Sequence, residues 1–323
     1  MDFSAHPSVL IQSVDRSADT LTVAEFGEAI ETEIPELDLH VSSDYDDALQ
    51  AIADAEIVIS RYLPNELLNA ATNLKWIQSY SAGVDQYPID RLAEDEILLT
   101  TASGVHAEPI AEQVLAYMLA FERQLHVGFR RQQAHRWERF SGGELAEKTV
   151  GIIGVGAIGT RVAELSAAFD MTVLGSKRDT TTVPPGLDTL FSPGELHTLL
   201  GQSDYVVVAC PLTPDTHELL GIKEFSSMKD SAVLINIARG EIVQQRHLHV
   251  AIANGSIGGA ALDVADSEPL PADSPLWNLE NVIITPHMAG STPKYFSRLK
   301  DLFVDNYSRV VSDGPEAIRN RVI

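Results

Sequence analysis

The chain has 323 residues, 45% of them hydrophobic, enough to bury about two domains of ordinary size. Forty-six acidic residues against 23 basic leave a net charge of -23, which argues against nucleic acid as a partner, because neutralising phosphates takes clustered Lys and Arg. No apolar run approaches the roughly 20 residues of a spanning helix, and "MDFSAHPSVL" has no basic flank before an apolar stretch, so neither a membrane protein nor a cleaved leader is expected.

The acids are scattered through segments such as "EFGEAIETEIPELD" and "AEDEI", and only seven of the basic residues are lysine. At about 1 M salt the Debye length falls to about 3 Å, so such a surface repels itself in dilute buffer and is screened in concentrated salt. A halophilic protein is expected. Cys210 is the lone cysteine, which rules out an intrachain disulfide and a cysteine metal cluster and fits a reducing cytoplasm. The sequons at Asn254 and Asn306 then read as chance.

In chain order, "SVLIQSV", "AEIVIS", "LKWIQSY" and "EILLTT" read as strands, with helices over residues 46–53 and 65–70 between them, the wiring of an α/β parallel sheet. One long helix is expected over residues 108–136, with Pro109 in its first turn. A second α/β module follows: "TVGIIGVGAIG", "MTVLG", "DYVVVAC", "AVLINIA", "GGAALDV" and "NVIITPH" each contain an apolar run of buried-strand length. After about Gly290, Phe296, Leu299, Leu302, Phe303 and Val310 mark an amphipathic helix, expected to return to the first module.

"GVGAIG" follows the strand at 150–153 and opens an alanine-rich helix. Gly154 suits the tight turn, Gly156 leaves room for a pyrophosphate, Gly159 lets helix and strand meet, and the N–H groups of Ala157 and Ile158 face the anion. A dinucleotide site is expected. The next strand ends at Gly175, and Ser176, Lys177 and Arg178 stand where an NAD-selective site carries an acid for the ribose 2'-hydroxyl. Two cations there suit the 2'-phosphate of NADP, each good contact being worth about 1.5–3 kcal/mol. Asp179 next door keeps NAD possible.

Three later segments follow strand ends: "NIARGEIV" with Arg239, "LDVADSEPL" with Asp263 and Glu268, and "ITPHMAGST" with His287. Each alone has an ordinary structural reading; together, downstream of a dinucleotide loop, they point to chemistry at the carboxyl ends of strands. Reducing a 2-keto acid needs a proton for the oxygen and a cation for the carboxylate. His287 suits the proton, Glu268 its orientation, and Arg239 the anion.

These stretches, with "SAGVD" (81–85) and "PLTPDT" (211–216), make the chain resemble the D-isomer-specific 2-hydroxyacid dehydrogenase family over nearly its whole length. The resemblance implies two Rossmann-like doubly wound parallel-sheet domains with a cleft between them. Residues 1–105 and 290–323 would form the substrate domain, and residues 106–289 the dinucleotide-binding domain. It implies Arg239, Glu268 and His287 as the catalytic group and Gly83 and Val84 as further substrate contacts. Pro211, Thr216, Ile237, Ala238, Arg239, Asp263, His287, Ala289 and Gly290 would join the glycine loop around the cofactor. It also implies a homodimer formed through the nucleotide domains, and, where the usual acid after the second strand is missing, it leaves NAD specificity open. The leading reading is a cytoplasmic, NADP-preferring reductase of 2-keto acids to D-2-hydroxy acids. Rivals are a glyoxylate or hydroxypyruvate reductase, a phosphoglycerate dehydrogenase without a regulatory domain, and a nucleotide-sensing protein like the family's corepressor relatives.

Cys210 is expected to be a small buried hydrophobe, and His247 and His249, two positions apart on a helix, face different ways, so no metal site is expected. Trp137 is expected to pack, either near the active-site mouth or in a simple structural role.

Overall fold

The computed structural model describes residues 3–12, 22–84 and 86–323. Ser13 and Val14 of "SVLIQSV" and Asp85 of "SAGVD" lie outside them. In chain order the elements are β1 (Ser8–Ile11), α1 (Val23–Glu33), β2 (Asp38–Val41), α2 (Tyr45–Ala51), β3 (Ile57–Ser60), α3 (Asn65–Ala70), β4 (Trp76–Ser79), α4 (Ile89–Glu94) and β5 (Leu98–Thr100). Then come α5 (Ala107–Glu122), α6 (Leu125–Gln133), β6 (Thr149–Ile153), α7 (Ala157–Ala167), β7 (Thr172–Ser176), β8 (Thr189–Phe191), α8 (Leu196–Gln202) and β9 (Tyr205–Val208). The chain ends with α9 (Ile222–Phe225), β10 (Val233–Asn236), α10 (Gln245–Ala253), β11 (Gly259–Leu262), β12 (Val282–Ile284) and α11 (Tyr295–Asp313).

Two compact units result, Met1–His106 with Ser291–Ile323, and Ala107–Gly290. The first contains a parallel sheet in the order β2-β1-β3-β4-β5. Apart from the half-exposed edge strand β2, its strands are buried on both faces, and alternate residues serve opposite cores. Ile57 and Ile59 face a cluster with Phe26, Trp76, Phe296 and Phe303, while Val58 faces Leu10, Ile52, Leu67 and Leu92. The amphipathic stripe of α11 explains its place: Phe296, Leu299, Phe303 and Val310 are buried, Leu302 partly so, and the helix packs on α1. Each fully buried side chain of this size contributes about 1.5–3 kcal/mol. Trp76 stacks on Phe303 with ring centroids 5.1 Å apart. Asn306 is wholly buried and bonded to Arg319, so its sequon is closed to modification.

The second unit holds a parallel sheet in the order β12-β11-β10-β9-β6-β7-β8. Chain order reverses between β6 and β9, the switch point outside which open α/β sheets bind ligands. Helices α5 and α7 cover one face; α8, α9 and α10 cover the other. Strand β8 was not foreseen, because "TLF" is too short to stand out from its loop.

The single helix expected over 108–136 is two helices. Gln124, at φ 56, separates α5 from α6, and α6 stops at Gln133. The cause is tertiary. The returning segment crosses the end of α5, where Gly143 N donates to Glu122 O at 2.8 Å and the Arg123 guanidinium donates to Gly143 O. No Gly or Pro marks the break in sequence. Trp137 contradicts its expected packing: it is 101% exposed, with nothing among the described residues to cover it.

Candidate active site

The glycine loop leaves β6 at the switch point. Gly154 adopts φ +97, and a Cβ there would stand 2.5 Å from the backbone of Cys210, so a side chain is excluded both by conformation and by space. At Gly159 a Cβ would lie 2.3 Å from Gly154 O, which fixes how closely α7 meets the loop. Gly156 is different: nothing lies within 4 Å of the position its Cβ would take. As N-cap of α7 it supplies no side-chain bond, and the first intrahelical bond runs from Thr160 N to Gly156 O. The N–H groups of Ala157, Ile158 and Gly159 are therefore left for an anion at the positive end of the helix.

Strand β7 runs one residue further than expected, so Ser176 is buried in the sheet and its carbonyl accepts from Gly154 N at 2.9 Å. Lys177 is half-buried and Arg178 exposed, and among the described residues neither forms an ion pair. Asp179 is already engaged. Its Oδ1 accepts from Thr181 Oγ1 at 2.6 Å and Thr181 N at 3.0 Å, bonds that, with a smaller effect of Lys177, hold its carboxyl below the ordinary aspartate range. Beyond β9, Thr216 Oγ1 donates to Pro211 O at 2.6 Å and accepts from Thr213 N at 2.8 Å, closing the loop into a compact turn.

At the end of β10 the buried Asn236 orders the residues after it: its Oδ1 accepts from Ala238 N and its Nδ2 donates to Arg239 O. Ile237 and Ala238 are buried and Arg239 turns outward, its Nη1 donating to Ala238 O at 2.7 Å. Beyond it Gly240 passes the loop after β11 at Ala265 and Asp266. Arg239 has no ion pair among the described residues, although acids outnumber bases two to one.

The loops after β11 and β12 bring Asp263, Glu268 and His287 together. His287 Nδ1 and Glu268 Oε2 are 2.7 Å apart, and Glu268 Oε1 accepts from Ala265 N at 3.2 Å. With a carboxylate as partner, Nδ1 carries the hydrogen, which leaves Nε2 as the ring nitrogen for other chemistry. Asp263 is 3% exposed and accepts three bonds, from Thr285 Oγ1 at 2.5 Å, Met288 N at 2.9 Å and Ala289 N at 2.9 Å. Its own carbonyl accepts from His287 N at 2.8 Å. A pocket of about 480 Å³ adjoins these groups, lined among others by Asp263, Glu268, Leu270, Trp277, Thr285 and His287. Asn236, Gly240 and Thr285 were not singled out from the sequence. Asn236 and Thr285 lie within quoted strand-end motifs, yet only the bonds reveal what they do.

Gly83 and Val84 belong to the other unit, on the turn after β4, where Ser81 Oγ donates to Gly83 O at 2.9 Å. Cys210 is buried, and burial pushes its thiol up to about 11, as befits a packing residue. On α10, His247 and His249 join no group of three metal-ligating side chains; none exists among the described residues. No helix among them is long and apolar enough to cross a membrane.

A doubly wound sheet with a glycine cradle at its switch point and a paired carboxylate and imidazole on neighbouring strand ends defines a nicotinamide-dependent oxidoreductase. Comparison with known proteins agrees. The model for "D-isomer specific 2-hydroxyacid dehydrogenase, NAD binding domain" matches residues 115–289, and the chain belongs to that family. It is 35% identical over 288 residues to glyoxylate/hydroxypyruvate reductase B of Pectobacterium carotovorum, covering 86% of this chain and 88% of the relative. It is 31% identical to a glyoxylate reductase of Thermofilum pendens, covering 94% of both. A D-isomer specific 2-hydroxyacid dehydrogenase from Xanthobacter autotrophicus, solved with NADPH and MES, superposes with a TM-score of 0.81 at 28% identity, covering 99% of this chain and 98% of that one.

Proposed function

We propose that this protein reduces small 2-keto acids to D-2-hydroxy acids and prefers NADPH to NADH, with glyoxylate and hydroxypyruvate the first substrates to test. The observation that carries the reading is the 2.7 Å bond between His287 Nδ1 and Glu268 Oε2. It fixes the orientation of the imidazole ring and leaves Nε2 as the ring nitrogen for proton transfer. The names of the two glyoxylate-reducing relatives support the substrate class.

The open space at Gly156, the uncapped start of α7, and Lys177 and Arg178, which form no ion pair among the described residues, fit a dinucleotide with a 2'-phosphate. When bound, its nicotinamide supplies the hydride for the carbonyl carbon. Ala157, Ile158 and Gly159 hold the pyrophosphate through N–H groups, and Lys177 and Arg178 hold the 2'-phosphate. Ser176, buried in β7, ties the glycine loop to this strand end through its carbonyl, which accepts from Gly154 N. Pro211, Thr216, Ile237, Ala238, Asp263, Ala289 and Gly290 line the remainder. His287 Nε2 delivers the proton to the substrate oxygen, and Glu268 holds the ring. Arg239 binds the carboxylate.

The same reading makes the protein a cytoplasmic, halophilic homodimer. Trp137, wholly exposed, and Phe129, 62% exposed, lie beside Arg130, Arg131, Arg136 and Arg139 in a chain of net charge -23. Such an aromatic, basic segment suits a second acidic copy of the chain.

Loss of NADPH absorbance on adding glyoxylate, hydroxypyruvate, pyruvate or branched 2-keto acids in molar KCl tests the activity. His287→Gln should lower kcat by about 10²–10⁴-fold while NADPH affinity, read by fluorescence titration, stays within about threefold. Wild-type protein that oxidises no NADPH with any of these acids, or a His287→Gln variant of normal kcat, overturns the reading.

A further inference from the structure

His287 sits at φ 50, in the left-handed region that a side chain with a Cβ disfavours. The residues around it must supply the restraint, and Asp263 does so from both sides. It takes His287 N on its backbone carbonyl and Met288 N and Ala289 N on its carboxylate. That carboxylate is buried, and among the described residues no cation is paired with it. Its charge therefore rests on hydrogen-bond donors alone, and one of these has a donor behind it.

The Tyr117 hydroxyl, on α5, hydrogen-bonds the hydroxyl of Thr285, which in turn bonds Asp263 Oδ1 at 2.5 Å. The direction follows from counting protons. An ionised carboxylate only accepts, so the single Thr285 hydroxyl proton is spent on Asp263, and Thr285 Oγ1 can only accept from Tyr117. Tyr117 is 3% exposed, and burial, the largest influence, pushes its phenol above the ordinary range, so the proton it donates is held. A phenylalanine would fill the same space and remove only the hydroxyl, whose side-chain partners are Thr285 and Gln113.

The geometry points to Tyr117 as a positioning residue for His287, acting through Thr285 and the Asp263 carboxylate. Directed bonds in series polarise one another, so the outer donor strengthens the inner one. The Asp263 charge is thereby stabilised, and the turn from Thr285 to Ala289 keeps His287 Nδ1 on Glu268. The inference rests on His287 being the proton donor proposed above, so its test carries an arm that needs no turnover.

Amide exchange over residues 282–290 should be faster in Tyr117→Phe than in the wild-type protein, with exchange in α7 unchanged. In the active enzyme, kcat should fall about tenfold with KM for keto acid and NADPH within about twofold, an effect of the size expected when a buried acceptor loses its donor. Thr285→Ser, which keeps the hydroxyl, should stay close to wild type. Thr285→Val should match or exceed the loss in Tyr117→Phe, and the double variant should be no worse than Thr285→Val. Unchanged exchange in residues 282–290 of Tyr117→Phe overturns the inference, whether or not the protein reduces keto acids. So do an unaltered kcat in an active enzyme, additive losses in the double variant, or failure of Thr285→Ser to preserve kcat.

Discussion

A Cβ built on Gly240 would stand 1.9 Å from the carbonyl carbon of Ala265 and 2.0 Å from its oxygen. The loop that carries Arg239 is thus pressed, backbone on backbone, against the loop that leads to Glu268. No flexible side chain is present at that point to yield.

Gly240→Ala must move one loop off the other by a distance of order 1 Å, enough to cost about 10²-fold in rate. The expected outcome is a kcat/KM for the keto acid lowered by about that factor, with a smaller loss of NADPH affinity, because Ile237, Ala238 and Asp263 share the displaced loops while the cradle at Gly154 to Gly159 lies elsewhere. Steady-state kinetics beside a fluorescence titration checks it. A variant with normal kcat/KM would show that the close approach does not set Arg239.

Cofactor choice is proposed to lie in Lys177 and Arg178, since Asp179 is occupied by Thr181. Replacing both with alanine removes two charge-assisted contacts of about 1.5–3 kcal/mol each. KM for NADPH should rise by about 10²-fold or more, and KM for NADH should change little. An NADPH preference that survives the double substitution would place the discrimination elsewhere.

Screening of a surface with net charge -23 should make stability depend on salt. Thermal unfolding in 0.1 M and in 2 M KCl is expected to show a higher Tm in the concentrated salt, as the Debye length shrinks from about 10 Å to below about 3 Å. Equal Tm values would count against a halophilic protein.

His126 provides a pH test. Burial, opposed by a hydrogen bond to Ala120 O and reinforced by Arg130, holds its imidazole below the ordinary histidine range. The unfolded chain therefore binds this proton more readily than the folded one. The stability linked to His126 is complete above the unfolded value of about 6.5 and is lost as pH falls through the lower folded value. Urea unfolding between pH 8 and pH 5 should show a shallower acid decline in His126→Gln than in wild type; identical slopes would remove His126 from the acid limb.

Quaternary structure is tested at Trp137. Trp137→Glu places a negative charge on an exposed aromatic within a basic segment and should shift the protein from dimer towards monomer in sedimentation velocity. Wild-type protein that sediments as a monomer would refute the dimer outright.

Much of this molecule was legible before any coordinates. Most strands of both sheets could be read because parallel strands buried on two faces are written as unbroken apolar runs, as in "YVVV" and "VLIN", whereas the partly exposed edge strands β2 and β8 were not foreseen. The glycine cradle was equally plain, since Gly154, Gly156 and Gly159 answer to conformation and clearance within a few residues of one another. Glu268 and His287 could be nominated from their places after strands, but not paired; their 2.7 Å contact depends on how β11 and β12 bring their loops together.

What the tertiary structure alone decided are relations between distant segments. The break at Gln124 has no local signal and comes from a later segment crossing the helix end. Trp137 reads like any core aromatic, yet it stands wholly exposed. Tyr117 and Thr285 are 168 residues apart in sequence and share a hydrogen bond. Periodicity and turn chemistry are properties of the local chain and survive in a string of letters, whereas a hydrogen bond between remote side chains exists only once the sheet has fixed both ends.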